Sequence, residues 1–241
     1  MAQSAYLRGL DIRDVDVADA PRHSAVVRIT HWMTALSFFG LLVSGIAILL
    51  AHPRLYWGET GAVGTPSLLD LPIPFTLGHS GWGRYLHFLS AWVCVVTGLL
   101  YALSGLFSRH FRKNLLPTKT DLSSRNIVRI VSNHVHVRRP TEEEALRYDV
   151  LQRLAYLLVV FMLFPLMILT GLAMSPAITS VVPALVNVFG GQQSARTVHF
   201  FVMTFLVLFL LVHIAMVCVA GFTTRVRAMI TGHGVPRREH P

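Results

Sequence analysis

The sequence predicts an all-α integral membrane protein, a four-transmembrane-helix bundle, and three observations carry that expectation. Of its 241 residues, 53% are hydrophobic and only 14% charged, with a mean hydropathy of +0.55, too apolar for a soluble domain of this size. The uncharged stretches 29–53, 85–108, 154–195 and 197–224 each exceed the roughly 18 residues that a bilayer-spanning helix requires. No strand-like alternation recurs with the spacing of a membrane barrel, so the spans are helical.

Residues 1–28 read as an N-terminal tail, and the first span is placed near 30–50. Because three further apolar runs follow it, this run reads as a span and not as a cleaved signal peptide. The second span is placed near 86–107. In the loop 108–153 that follows, Thr141-Glu-Glu-Glu144 after Arg138-Arg139-Pro140 has the pattern of a capping box opening a helix into the third span. His110, His134 and His136 lie among the charges of this loop and are given a solvated role. The third span, near 154–174, should kink at Pro165, and Pro176 and Pro183 break the chain after it. Ile178 to Phe189 reads as one short amphipathic surface helix closed by Gly190-Gly191. The fourth span is placed near 198–221, which makes 29–224 the membrane domain and 225–241 a C-terminal tail. Cys94 and Cys218 fall inside spans and read as small buried hydrophobes.

The basic residues are unevenly shared. The tail through Arg28 holds four, the loop 108–153 ten and the C-terminal tail four, against two in 52–84 and one in 175–196. By the positive-inside rule both termini and the middle loop are cytoplasmic. A nucleic-acid partner is excluded, because the charges flank spans and carry no binding motif.

Ionisable residues inside spans are costly and usually functional, and here four of them are histidines. Three stand three residues after an arginine at the edge of an apolar run: Arg28–His31, Arg84–His87 and Arg196–His199. Positions i and i+3 share a helix face about one turn apart, so each arginine marks the rim and its histidine points inward below it. The alternating direction of the spans puts His31 near the cytoplasmic face and both His87 and His199 near the outer one. His213 follows His199 by fourteen residues, a rise of about 21 Å that returns to within roughly 40° of the same face. It therefore reaches the level of His31. Two imidazole pairs at two depths, with guanidinium groups at the rim, suit two haems b between helices 1, 2 and 4: His87–His199 the periplasmic haem iron, His31–His213 the cytoplasmic one, and Arg28, Arg84 and Arg196 on the propionates. Gly40, Gly45, Gly98, Gly105 and Gly171 make room either for flat macrocycles or for helix packing.

These residues resemble the four-helix di-haem cytochrome b subunits that anchor hydrogenases, formate dehydrogenases and thiosulfate-reductase-type enzymes, over about residues 22 to 232. In that family the first and second helices give one histidine each and the fourth gives two, fourteen apart. Arg28-Ile-Thr-His31-Trp32, His52-Pro-Arg-Leu-Tyr-Trp-Gly58, Arg147-Tyr-Asp-Val-Leu-Gln152 and Gly190-Gly-Gln-Gln-Ser-Ala-Arg-Thr-Val-His199 are similar to its thiosulfate reductase cytochrome b branch. The resemblance implies a subunit of the bacterial inner membrane. It would move electrons between a periplasmic redox subunit of molybdopterin oxidoreductase type and the quinone pool. Other readings are a stand-alone membrane oxidoreductase of the same fold, for example superoxide to quinone, and a histidine-based metal or proton transporter. The transporter expects carboxylates or broken helices at mid-membrane, and the spans contain no Asp or Glu.

Overall fold

The computed structural model describes residues 24–61, 64–73, 81–107 and 150–233, with the backbone alone for 150–153. The expected capping box at Thr141 and the histidines 110, 134 and 136 lie outside the described residues.

Helix α1 spans Ala25–Ala51 and opens on Ser24, whose hydroxyl accepts the Val27 N–H at 3.4 Å, an N-cap of the usual kind. After a short hairpin of β1 (Arg54–Leu55) and β2 (Leu69–Asp70) comes α2, Gly81–Phe107. Helix α3 (Val150–Leu158) runs through a π-helical turn, Val159–Leu163, into α4, Phe164–Ala173. Two short helices, α5 (Pro176–Thr179) and α6 (Ala184–Val188), lead to α7, Gln192–Val219, and α8, Phe222–Thr231. The segments long and apolar enough to cross a membrane are Ala25–Ala51, Gly81–Phe107, Leu154–Ala173 and Gln192–Val219. Each expected span is present, and α1, α2 and α7 begin five or six residues earlier than placed, because a helix continues through the interface beyond the hydrocarbon edge.

The expected kink at Pro165 is expressed as the π-helical turn. Proline lacks an N–H, and its ring collides with the carbonyl four residues back. Here the Phe164 N–H bonds the Val159 carbonyl, five residues back, and the widened turn absorbs the misfit. The surface helix expected over Ile178 to Phe189 is instead two short helices. The helix does not continue into Pro183, which has no N–H to offer the preceding turn.

The interior is built from small hydroxyl residues and the exterior from large apolar ones, as expected of helices that face lipid. Thr30, Ser37, Ser44, Ser90, Thr97, Thr170, Ser194 and Thr197 are buried, while Leu36, Phe39, Leu89, Trp92, Phe205 and Leu211 are exposed. Three of these hydroxyls return their protons to their own helices: Thr30 to the Val26 carbonyl, Thr97 to Val93 and Thr170 to Leu166, each at 2.8 Å. Of the two cysteines, Cys94 is buried, but Cys218 lies on the outward face.

Helices α1 and α2 form one close pair, and α4 and α7 a second. In the first pair Thr34 meets Thr97 at 3.3 Å, Gly40 meets Ser90, and Ser44 meets His87. The rising and falling numbers mark it as antiparallel. In the second, Val159 and Leu163 pack against Val202 and Leu206, joined by Phe38 of α1. Close backbone approaches between the two pairs are few among the described residues, and imidazoles occupy the space between.

The loop after α1 is bound to the start of α7. The Gly58 carbonyl accepts the N–H groups of Gln193 (3.0 Å) and Ser194 (3.3 Å), and the Ser194 hydroxyl accepts the Gly58 N–H at 2.7 Å. These are first-turn N–H groups with no partner inside the helix. Thr197 donates to the Tyr56 carbonyl at 2.6 Å and the Arg196 guanidinium donates to the His52 carbonyl. Leu55 is sealed beneath, at 0% exposure.

Candidate functional site

The four membrane histidines form two pairs at the two ends of the bundle. At the loop end, His87 of α2 faces His199 of α7 with ring centres 6.3 Å apart and ring planes at 56°. At the other end, beside α8, His31 of α1 faces His213 of α7 with centres 6.4 Å apart and planes at 51°. Each pair bridges the space between the two helix pairs, and α7 supplies one ring to both. The fourteen residues between its two histidines separate the sites by about 21 Å along the helix.

The pairs differ in what surrounds them. At the loop end, His87 Nδ1 lies 3.1 Å from the Ser44 hydroxyl and His199 Nδ1 lies 2.9 Å from the Thr170 hydroxyl. Gly45 and Gly171, the next residue in each case, lie flat against the rings: a β-carbon there would sit 3.6 Å from His87 Cε1 and 3.5 Å from His199 Cε1. At the other end, His31 meets Trp32 edge-on at 5.3 Å, and His213 stacks on Phe209 at 6.0 Å, itself in edge contact with Tyr156. Of the remaining expected glycines, Gly40 serves the α1–α2 contact with Ser90, and Gly98 faces open space.

The arginines are less uniform than their spacing suggests. Arg196 is tied to the His52 carbonyl and Arg28 to the Ile230 carbonyl at 2.6 Å in the last turn of α8, where Trp32 Nε1 also bonds the Met229 carbonyl at 3.2 Å. Arg84 lies exposed at the start of α2. Ser44 and Thr170 were missed in the sequence, where a hydroxyl inside an apolar run reads as helix packing. A small hydroxyl residue followed directly by glycine, present at both positions, is the signal available for finding them.

The sequence profile of the prokaryotic cytochrome b561 family matches residues 22–232. The chain belongs to that family. It is also 32% identical over 214 residues, covering 88% of this chain and 96% of the other, to a putative protein-methionine-sulfoxide reductase subunit, YedZ1, of Azospira oryzae. No solved structure matches it. A prokaryotic cytochrome b561 is a multi-pass bacterial membrane protein that binds haem b and carries electrons as a subunit of an oxidoreductase.

The residues fit the group. Two imidazoles held on opposite sides of one metal, with metal–nitrogen distances of about 2.0–2.1 Å and about 1.1 Å from nitrogen to ring centre, place the ring centres about 6.3 Å apart. Both pairs in this cytochrome have that separation. Among the described residues no group of three or more His, Cys, Asp or Glu comes together. A macrocycle supplies its own equatorial nitrogens and asks the protein for axial ligands alone, which is what each imidazole pair offers.

Proposed function

We propose that this cytochrome holds two haems b, one on His87 and His199 and one on His31 and His213, and that it moves electrons between a periplasmic redox subunit and the quinone pool. The ring-centre distances of 6.3 and 6.4 Å carry the reading. A haem held by such a pair would supply one-electron exchange with no coordination position open to oxygen or substrate. The chain supplies the rest. Through His199 and His213, helix α7 would set the two haem sites at two depths.

With both termini cytoplasmic, His87–His199 is the periplasmic site and His31–His213 the cytoplasmic one. Arg84, Arg196 and Arg28 are the propionate partners. A guanidinium presents several N–H donors, so Arg196 and Arg28 keep some beyond those given to the His52 and Ile230 carbonyls. Exposed Trp57 and Leu68 of the segment after α1, and Val181, Val182 and Val188 on and between α5 and α6, form the docking face for the partner. The relative in Azospira oryzae is a putative protein-methionine-sulfoxide reductase subunit. A periplasmic catalytic subunit of molybdopterin oxidoreductase type is the partner proposed.

Reduced-minus-oxidised spectra and haem extraction from the purified chain test the reading. Two haems b per chain are expected, and a chain that binds none, or retains both after His87→Ala, overturns it. Co-purification of a periplasmic oxidoreductase supports the partner, and quinone reduction by the isolated chain without one favours the stand-alone alternative.

A further inference from the structure

At the loop end, each imidazole is backed by a hydroxyl from a helix that gives no ligand to that site: Ser44 of α1 behind His87 and Thr170 of α4 behind His199. Both hydroxyl residues are fully buried, so water does not substitute for either. A hydroxyl has a single proton. That of Ser44 is directed at the Gly40 carbonyl, 2.6 Å away, and that of Thr170 at the Leu166 carbonyl, 2.8 Å away. With its proton given to a carbonyl, each oxygen is left to accept from the ring, and Nδ1–H, which also has the Leu41 carbonyl (His87) or the Met167 carbonyl (His199) as a partner, is then the donor. With the proton on Nδ1, the lone pair of each imidazole is on Nε2, the nitrogen left for a metal. Gly45 and Gly171 close the same arrangement against Cε1, so the pairs Ser44-Gly45 and Thr170-Gly171 repeat one device on opposite walls of the site.

We propose that Ser44 and Thr170 are positioning residues that fix the Nε2-ligating tautomer of His87 and His199 and set the reduction potential of the haem they bind, apart from that of the other. The proposal rests on the axial-ligand reading above. Partial donation of the Nδ1 proton makes an imidazole a stronger base toward iron, which favours the ferric over the ferrous state. A hydroxyl is a weaker acceptor than a carboxylate, so the effect is graded. His31 and His213 have aromatic neighbours in Trp32 and Phe209. The two sites thus differ in ligand surroundings although their ring spacings match.

The test uses the purified full chain loaded with haem. Thr170→Val removes the hydroxyl at nearly constant volume, Ser44→Ala removes it with a smaller change, and Thr170→Ser and Ser44→Thr restore it. Optical redox titration and low-temperature electron paramagnetic resonance of the ferric haems are the readouts. The expected result is full haem content, with one haem more easily reduced by roughly fivefold in its equilibrium, the weight of one ordinary hydrogen bond. That haem must be the one lost in His199→Ala, its ferric signal must move, and the conservative variants must return it. Full haem content with both titration and signals unmoved in Thr170→Val and Ser44→Ala overturns the proposal, as does an equal shift of both haems. If His199→Ala keeps both haems, the axial-ligand reading falls instead.

Discussion

Gly191 lies so close to the main chain of Gly58 that a β-carbon on Gly191 would overlap the Gly58 carbonyl. Its φ of +121° is also outside the range that L side chains favour. The contact brings the 52–58 loop onto the first turn of α7, a few residues before His199. Two of the segments singled out in the sequence, 52–58 and 190–199, are thereby one structural unit.

Gly191→Ala is expected to cost about 3 kcal/mol or more, since it adds backbone strain to a collision with main chain that has nowhere to move. Gly58 also has a positive φ, +100°, but faces open space, so Gly58→Ala should cost about 1–2 kcal/mol. Thermal unfolding of the two purified variants checks the order. Equal losses would mean that conformational strain alone, without the close approach, sets the requirement for glycine.

The ring pairing predicts loss of haem in pairs. His87→Ala and His199→Ala should each remove one and the same haem, and His31→Ala and His213→Ala the other. The double variants within a pair should lose no more than the singles, because one missing axial ligand already abolishes the bis-imidazole site. Haem content per chain, with the ferric low-spin signals assigned one by one, is the measurement. Loss of both haems from a single variant of unchanged thermal stability would contradict the pairing.

Gly45 and Gly171 predict a size threshold. A β-carbon at either would sit 3.6 or 3.5 Å from its imidazole, an ordinary contact, so alanine should be accepted with full haem content. Gly171→Leu and Gly45→Leu would displace His199 or His87 from the ring spacing, at a cost of about 1–3 kcal/mol typical of overpacking. Each should lose the haem that His87 and His199 share. Haem content separates alanine from leucine.

What the sequence reveals and what it hides divide along physical lines. The spans follow from apolar length, and the juxtaposition of His31 with His213 and of His87 with His199 follows from helical rise and alternating direction, both long-range regularities. Ser44 and Thr170 are hidden because a hydroxyl in a span serves close packing, a bond to its own helix or a bond to a neighbour, and the residue type does not say which. The split of the expected 178–189 helix turns on one residue, Pro183. The grip of Gly58 on α7 uses main-chain atoms, which leave no trace in side-chain pattern. Helix α8 is missed because its ten residues, with Arg225 and Arg227 among them, read as charged tail.

The last turn of α8 decides what Arg28 does. Its guanidinium donates to the Ile230 carbonyl and Trp32 Nε1 to that of Met229, so two side chains from the first turns of α1 satisfy carbonyls that a helix end leaves without partners. Arg28→Gln and Trp32→Phe should each remove about 1 kcal/mol from the docking of α8. The expected result is faster amide hydrogen exchange in residues 226–231, greatest in the double variant, with the exchange of α2 unchanged. If the chief role of Arg28 is instead at a propionate, Arg28→Gln will alter the haem bound by His31 and His213 while α8 exchanges as before, and Trp32→Phe alone will loosen the helix.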